Sequence, residues 1–448
     1  MFTYIRLKNF MSFKDILFNL KNGNKETKKF ISIYGENGSG KSNFVNSISL
    51  LRQSIDSFQM VGNEERINEL AKRKVLPEEM LDMLFSNANI LNYANSCRML
   101  ECDEATTAEY GFKVGAHEGY YIISFSNKFV YEKLYYYTGK QSGVLFEINS
   151  EAGKINVNFS GKLFSDRKIE TELKDEINKY WGKHTFLAIL NKEMIEKNEE
   201  YIKENYLSYT FDLINMLNEL TVHYKKSPYS GNEIIAKKPD NVLHNLKEGK
   251  IKDDNTALLD CSERIIKDFF TQAYADIKDV FYERRMENKE VFYKLYVKKM
   301  IGGKIRVIEF GRESAGTQSI LEIIRSLLGA FCGVTVVYDE IDNGIHDLLL
   351  KSILESMSDY ITGQLIITTH NTYLLESMDI KSIYVINVDY QGNKEVKCMD
   401  KFQRIQGTNN PRVMYMKGLF GGIPCVDMLD YDMILQELNT RFSAEGGE

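Results

Sequence analysis

Proline is scarce in this chain of 448 residues: five, at positions 77, 228, 239, 411 and 424. No Pro/Ser-rich linker divides it, so boundaries must be read from pattern, and long proline-free stretches leave room for helices and sheets. Cysteine is scarce too. The six (Cys97, Cys102, Cys261, Cys332, Cys398, Cys425) are scattered, only Cys97 and Cys102 lie close, and no second pair completes a metal-type spacing. Reduced thiols in a cytoplasmic protein are the economical expectation. Long apolar runs are missing: Leu327 to Tyr338 is too short to cross a bilayer and contains Gly329 and Gly333. The opening MFTYIRLKNF has no charged start followed by an apolar stretch, which argues against a secretory leader. Neither charge dominates. Lys and Arg number 57 against 63 Asp and Glu, a net charge of −6, which is a poor fit to a whole surface gripping nucleic acid and leaves only a local basic stripe open. Secreted, disulfide-rich, collagenous and membrane-spanning classes are excluded. What is present is 43% hydrophobic and 27% charged residues, the balance of a globular chain with a core, long enough for two or three domains.

Phe2 to Phe10 alternates polar and apolar residues, Asp15 to Leu20 reads as a second strand, and Phe30 to Tyr34 is a β-branched run ending at a glycine. From Lys41 the spacing turns helical, with Phe44, Ile48, Leu51 and Ile55 on one face; 64–91 also reads as helical. Tyr110 to Ser160 predicts antiparallel hairpins with turns near Gly115–Gly119, Gly139–Gly143 and Gly153. Ile195, Ile202, Tyr206, Tyr209, Leu213, Leu217 and Leu220 predict one long helix over 191–220, followed by loop over 224–254, a helix over 256–284 and a hairpin turning at Gly302–Gly303. The last third alternates helix (319–331), strand (334–338), helix (346–360), strand (364–368), helix (372–378) and strand (382–387), implying a parallel sheet packed on helices.

Gly35-Glu36-Asn37-Gly38-Ser39-Gly40-Lys41-Ser42 fits G-x-x-x-x-G-K-[ST] and lies between a strand and a helix, as a phosphate-binding P-loop must. Its glycines let successive N–H groups face one anion, the helix start adds partial positive charge, Lys41 reaches the β- and γ-phosphates, and Ser42 ligands Mg²⁺. Val334 to Tyr338 is an apolar strand ending in Asp339 and Glu340. An acidic pair often does no more than end such a strand. Here Asp339 is expected to hold the Mg²⁺ water shell and Glu340 to polarise the attacking water. Leu365 to Thr369 ends at His370, which at the tip of a neighbouring parallel strand would face the same crevice.

Together these features resemble the ABC-type ATPases, the branch that includes SMC, Rad50, RecF and OLD-like proteins. Ile5 to Phe10 with Ser12-Phe13-Lys14-Asp15 looks like the first strands of the RecF/OLD-like group, and Glu313-Ser314-Ala315-Gly316-Thr317-Gln318 looks like the ABC signature, with Glu313 and Ala315 in place of the usual Leu and Gly. Asp342 matches the D-loop and His370 the switch histidine; no glutamine is assigned to the Q-loop, Gln141 lying in a hairpin region. Ser-Ala-Gly-Thr-Gln, Asp-Glu-Ile-Asp-Asn-Gly-Ile-His, Thr-Thr-His-Asn and the tail from Asn410 to Pro424 are similar to the bacterial AAA15/AAA21-type ATP-binding proteins. The match covers roughly 1–50 and 305–390, and 110–160 is similar to the family's first-lobe sheet in character.

The resemblance implies an α/β, ABC-type P-loop ATPase head with a mixed sheet and a helical insertion between Walker A and signature. The expected division is a first lobe over 1–190, the insertion over 191–290, a second lobe over 291–390, and a C-terminal segment over 391–448 that contacts a partner or another copy. ATP and Mg²⁺ are the implied ligands. The nucleotide-binding set is Gly35, Asn37, Gly38, Ser39, Gly40, Lys41, Ser42, Asn43 and Asp342, with Ser314 and Gly316 acting in trans; the catalytic set is Lys41, Glu340 and His370; the metal set is Ser42 and Asp339. A homodimer or higher homo-oligomer follows. The resemblance also implies phage defence, with a phage-derived trigger and a separate nuclease or toxin as effector, as in PARIS-like, Septu-like and abortive-infection systems. An OLD-like fused nuclease is the second reading, rejected because Asp430-Tyr431-Asp432 lies in a helical tail too short for a TOPRIM domain. An SMC/RecF-like ATPase acting on DNA is the third. It rests on 279–307, where eight basic and four acidic residues interleave with aromatics.

Overall fold

The structure, a computed structural model, describes residues 1–23, 26–58, 89–137, 142–227, 230–235, 243, 245–402, 410–423 and 430–437. Gln141 and most of the helix expected over 64–91 lie outside the described residues.

The chain opens on β1 (Phe2–Phe10) and β2 (Phe13–Asn19), which turn back on one another through Met11 at φ 48. The short pair β3 (Lys21–Asn22) and β4 (Glu26–Thr27) leads into β5 (Phe30–Gly35) and α1 (Lys41–Ile55). After α2 (Ile90–Ser96) come five strands, β6 (Thr106–Val114), β7 (His117–Phe125), β8 (Phe129–Tyr137), β9 (Ser142–Glu151) and β10 (Lys154–Phe159). A helical layer follows: α3 (Arg167–Tyr180), α4 (Phe186–Glu196), α5 (Glu199–Asn205) and α6 (Ser208–Glu219). Then come β11 (Thr221–Ser227), β12 (Ser230–Ile235), β13 (Glu248–Lys252), α7 (Thr256–Ala273), β14 (Ile277–Glu287), β15 (Glu290–Ile301) and β16 (Lys304–Glu309). The last third is α8 (Ala315–Phe331), β17 (Thr335–Tyr338), α9 (Asp347–Met357), β18 (Gln364–Thr368), β19 (Ile383–Val388), β20 (Lys394–Cys398) and α10 (Pro411–Met416).

Two seven-stranded sheets carry the fold. One is antiparallel, in the order β10-β9-β8-β7-β6-β1-β2; the other runs β12-β11-β17-β18-β5-β19-β20. In the second, β11, β17, β18, β5 and β19 are parallel and the outer strands β12 and β20 antiparallel, so the sheet is mixed. Its middle strands are buried on both faces, which is why they read as continuous Val/Ile runs. A smaller sheet places β13 and β16 along one side of β15 and β14 along the other.

Three expected elements are corrected. The long helix over 191–220 is broken into α4, α5 and α6. The Asn198 side chain accepts a hydrogen bond from the Tyr201 N–H and starts α5 afresh, and at its end Asn205 O accepts from the Ser165 N–H while the Leu207 N–H donates to Leu163 O. Ile195, the first residue of the expected stripe, is exposed. The loop expected over 224–254 contains β12 and β13 and the end of β11, which lies in the central sheet beside the strand leading to Asp339. The helix over 256–284 stops at Ala273, and Ile277 onward pairs with β15. The 191–290 stretch therefore holds strands as well as helices, and position 290 falls at the turn of the β14–β15 hairpin.

Two buried polar side chains join the layers. The Gln364 amide, on β18, accepts from the Phe2 N–H (2.7 Å) and donates to Phe2 O and Lys28 O (2.9 Å each), tying β1 to the central sheet. Glu132, on β8 and fully buried, accepts from Tyr121 Oη (2.7 Å), Trp181 Nε1 (2.9 Å) and the Phe186 and Leu187 N–H groups at the start of α4 (2.6 and 3.1 Å). Burial pushes its carboxyl up, against the pull of these donors. Glu132→Ala would strand four donors in the interior, so we expect a loss of about 3–5 kcal/mol, measured as a lower urea midpoint.

His184 and His223 are buried as neutral rings. Burial pushes both down to about 4 from the usual 6.5, with Lys183 and Lys192 adding to the effect at His184 and Arg325 at His223. Each folded value lies below the unfolded one, so the stability they contribute is complete above pH 6.5 and is lost as pH falls toward 4. The size is on the order of 3 kcal/mol per ring. The urea midpoint should fall across that window, and less steeply in a His184→Asn, His223→Phe double variant; an unchanged slope would place the acid sensitivity elsewhere.

Candidate functional site

β5 delivers the chain to the centre of the parallel sheet, and the loop over 36–40 turns it into α1. Gly38 and Gly40 sit at φ 81 and 108, where side chains are strained, and a Cβ on Gly40 would meet the Phe13 ring at 2.7 Å. A Cβ on Gly35 would meet Ser39 Oγ at 2.5 Å. Gly40 caps α1 without a side chain and the first turn holds no acidic residue, so the helix N–H groups are left to an anion. Lys41 is buried, and its Nζ donates to Gly35 O (2.8 Å) and Glu36 O (3.0 Å). Among the described residues, Ser39 Oγ is buried without a partner.

β17 and β18 end beside this loop. Thr368 Oγ1 donates to Asp339 Oδ1 (2.5 Å) and accepts from the Glu340 N–H (2.8 Å), fixing both acids from the neighbouring strand. Glu340 turns at φ 49, an uncommon value for a residue with a side chain. Burial pushes the Asp339 carboxyl up and Glu340 adds to that, while hydroxyl bonds from Thr368 and Ser42 and the Lys41 charge oppose it. Burial pulls the Lys41 ammonium down against the attraction of Asp339, Glu340, Asp342 and Glu36. The His370 N–H donates to Asp342 Oδ2 (3.1 Å), and burial, then Lys41, lower its imidazole. Asp342 Oδ1 is buried without a partner among the described residues.

These groups border a cavity of about 880 Å³, within the range of small-ligand sites. Asn37, Gly38, Gly40, Lys41, Ser42, Asn43, Glu340 and His370 line it, whereas Gly35, Ser39, Asp339 and Asp342 are not part of its lining. Ser314 and Gly316 are placed apart. Ser314 caps α8, its Oγ accepting from the Thr317 N–H (3.2 Å), and a Cβ on Gly316 would strike Gly344 O in the loop after Asp342. Neither lines the cavity of its own chain.

Sequence reasoning missed Thr368, although Thr-Thr-His stood in view, and missed the far wall, formed by Met11, Ser12, Arg98, Met99, Leu100 and Lys394. No local motif marks these residues; the sheet order assembles them. The basic stripe is largely answered within the protein. Arg284 pairs with Asp260 and Glu263, Lys294 with Glu248 and Glu309, Lys298 with Asp279, and Lys299 with Asp276 and Glu313. Asp430 Oδ1 accepts from the Met433 N–H at the start of a helix over 431–437. Among the described residues, no group of three or more His, Cys, Asp or Glu is placed to hold a metal, and no helix is long and apolar enough to cross a membrane.

Residues 215–376 match the model of a family described as "AAA domain, putative AbiEii toxin, Type IV TA system", and residues 4–51 match one described as "AAA domain". No curated protein matches the chain by sequence. Among solved structures, the SMC head domain from Thermotoga maritima is similar at 12% identity and TM-score 0.37, covering 89% of this chain and 98% of that one. An SMC head bound to the C-winged helix domain of ScpA is similar at 13% identity and TM-score 0.42 (88% and 97%). An SMC head with an extended coiled coil, bound to the C-terminal domain of ScpA derived from Pyrococcus furiosus, is similar at 12% identity and TM-score 0.40 (88% and 95%). The two family models meet on the central sheet, one bringing its P-loop strand and the other its acidic and histidine-tipped strands, so both halves of the site lie in segments similar to AAA domains.

Proposed function

We propose that this ATPase works as a head-to-head dimer whose composite ATP sites control a separate effector, a nuclease or toxin, in anti-phage defence. The observation that carries the reading is the separation of Ser314 and Gly316 from the cavity lined by Lys41. The Ser314 hydroxyl and the first N–H groups of α8, of which that of Thr317 is held by Ser314 Oγ, suit a second anion site that a second copy would bring to the γ-phosphate. In this reading Lys41 and the loop N–H groups hold the β- and γ-phosphates, Glu340 orients and deprotonates the attacking water, and His370 with Asp342 faces the γ-phosphate. The Ser42 and Asp339 oxygens, already hydrogen-bonded to one another, suit a hard cation; they would hold Mg²⁺, which neutralises phosphate charge.

The family description's mention of a toxin and a toxin–antitoxin system supports the defence setting. The lever toward an effector is the tail. Tyr415 packs on Tyr34 (ring centroids 5.7 Å) and its Oη donates to Gly422 O (2.9 Å), while Gly422 lies against Val385 and Gly35, directly behind the P-loop. An SMC/RecF-like role on DNA is weakened by the internal pairing of the stripe on β14 and β15.

Lys41→Ala should lose ATP binding, whereas Glu340→Gln should bind ATP and turn it over about 10²–10⁴-fold more slowly. Mixing a Ser314→Arg variant with Lys41→Ala should restore part of the turnover, because a heterodimer contains one complete site. Heterodimers that form without any recovery would sink the trans assignment.

For the cellular role, the chain should protect against phage only when its effector, encoded nearby, is co-expressed. Full protection by the chain alone, with nucleic-acid cleavage by the homogeneous protein, would return the fused-nuclease reading.

A further inference from the structure

The β19–β20 hairpin brings a second lysine to the P-loop. Its turn is braced by Asp389, whose Oδ1 accepts from the Gln391 and Asn393 N–H groups (2.9 and 2.8 Å) and whose Oδ2 accepts from Asn393 Nδ2 (2.9 Å). Lys394 opens β20, in register with Val388, and is therefore delivered by a stiffened turn on a sheet edge. Its Nζ donates to Gly38 O and to Ser12 Oγ, both at 2.6 Å, and stands 5.8 Å from the centroid of Phe13, the ring that covers Gly40. Ser12 Oγ also accepts from Asn43 Nδ2 (2.6 Å), so β20, the β1–β2 turn and the start of α1 converge on one hydroxyl. Lys394, Ser12, Gly38 and Asn43 all line the cavity that holds Lys41.

An ammonium has three N–H donors, and two are engaged here by neutral oxygens. Lys394 is half-buried, and among the described residues it forms no ion pair, in contrast to the lysines of the β14–β15 hairpin. Burial pulls its ammonium down, opposed by Glu36. A partly desolvated cation with no anionic partner, its third donor free beside a phosphate loop, is completed by a phosphate.

We propose that Lys394 is a nucleotide-binding residue, a second cation that contacts the diphosphate shared by ATP and ADP while holding the Gly38 carbonyl in place. This rests on the P-loop being the nucleotide site. The γ-phosphate side is already served by Lys41, whose charge is set among Asp339, Glu340 and Asp342. Lys394 instead sits with Ser12 and the outer edge of the loop, so its contribution should not distinguish ATP from ADP.

The test is equilibrium binding of fluorescent ATP and ADP analogues to the full chain at low and moderate salt, with steady-state ATP turnover alongside. Lys394→Met keeps the stem and removes the charge. It should weaken both nucleotides alike by about tenfold to a hundredfold and raise KM with little change in kcat. It should also flatten the salt dependence of affinity relative to wild type. Lys394→Arg should recover most of the affinity and the salt dependence. If Lys394→Met binds both nucleotides as wild type does while Lys41→Ala binds neither, the proposal is overturned and the P-loop reading stands. If Lys394→Met loses affinity but keeps the wild-type salt dependence, Lys394 is only a brace for the loop and the proposal is likewise overturned. If Lys41→Ala also binds as wild type, the P-loop reading itself fails and takes the proposal with it.

Discussion

The carboxyl end of the central sheet is arranged around one buried ammonium, that of Lys41. Three side-chain carboxylates, those of Asp339, Glu340 and Asp342, act on it from the ends of β17 and its following loop, and the carbonyls of Gly35 and Glu36 accept its hydrogen bonds. A charge taken out of water has to be answered by such groups or give up its proton. Once Lys41 is placed, much of the remaining geometry follows: the loop needs glycines to curl around the ammonium, and the Thr368 hydroxyl, donating to Asp339, opposes the upward push of burial on that carboxyl. The same set explains the readiness for phosphate. An incoming γ-phosphate offers Lys41 better acceptors than two neutral carbonyls, so binding exchanges weak partners for strong ones.

Much of this was legible in the sequence because it is local. The P-loop fits within eight residues, and the apolar strand before Asp339 and Glu340 is short and fully buried, as its Val-rich composition requires. The strand over 364–368 falls where it was expected for the same reason. What could not be read was tertiary. The apolar stripe from Ile195 to Leu220 has helical spacing, yet Asn198 and the pairing of 205–207 with 163–165 take the backbone bonds that one continuous helix would need. The end of β11 falls in the stretch over 224–254 expected as loop, but antiparallel pairing with β12 makes it strand. Thr368 and Lys394 matter through what lies across the sheet from them, and no spacing rule reaches that far.

If ATP is shared between copies, its binding energy has to be spent between them, and that requires each copy to be stiff. β18 bears on this point. At its first residue, Gln364 is held by three hydrogen bonds to Phe2 and Lys28, and at its last, Thr368 holds Asp339 and the Glu340 backbone. A buried five-residue strand cannot stretch, so the lobe carried by β1 and the acids at the far end move as one piece. Glu132 does the same for the helical layer, fastening the start of α4 to β8 and to Trp181. With the interior locked in this way, a nucleotide gains little by rearranging one chain. In the proposed dimer it would gain by drawing in a second α8, with its Ser314 and first-turn N–H groups. ATP can shift that equilibrium only by the difference between its affinities for the closed and open pairs. In the proposed dimer the γ-phosphate would be gripped from both sides when closed and from one side when open, so the difference would depend on it and hydrolysis would remove it.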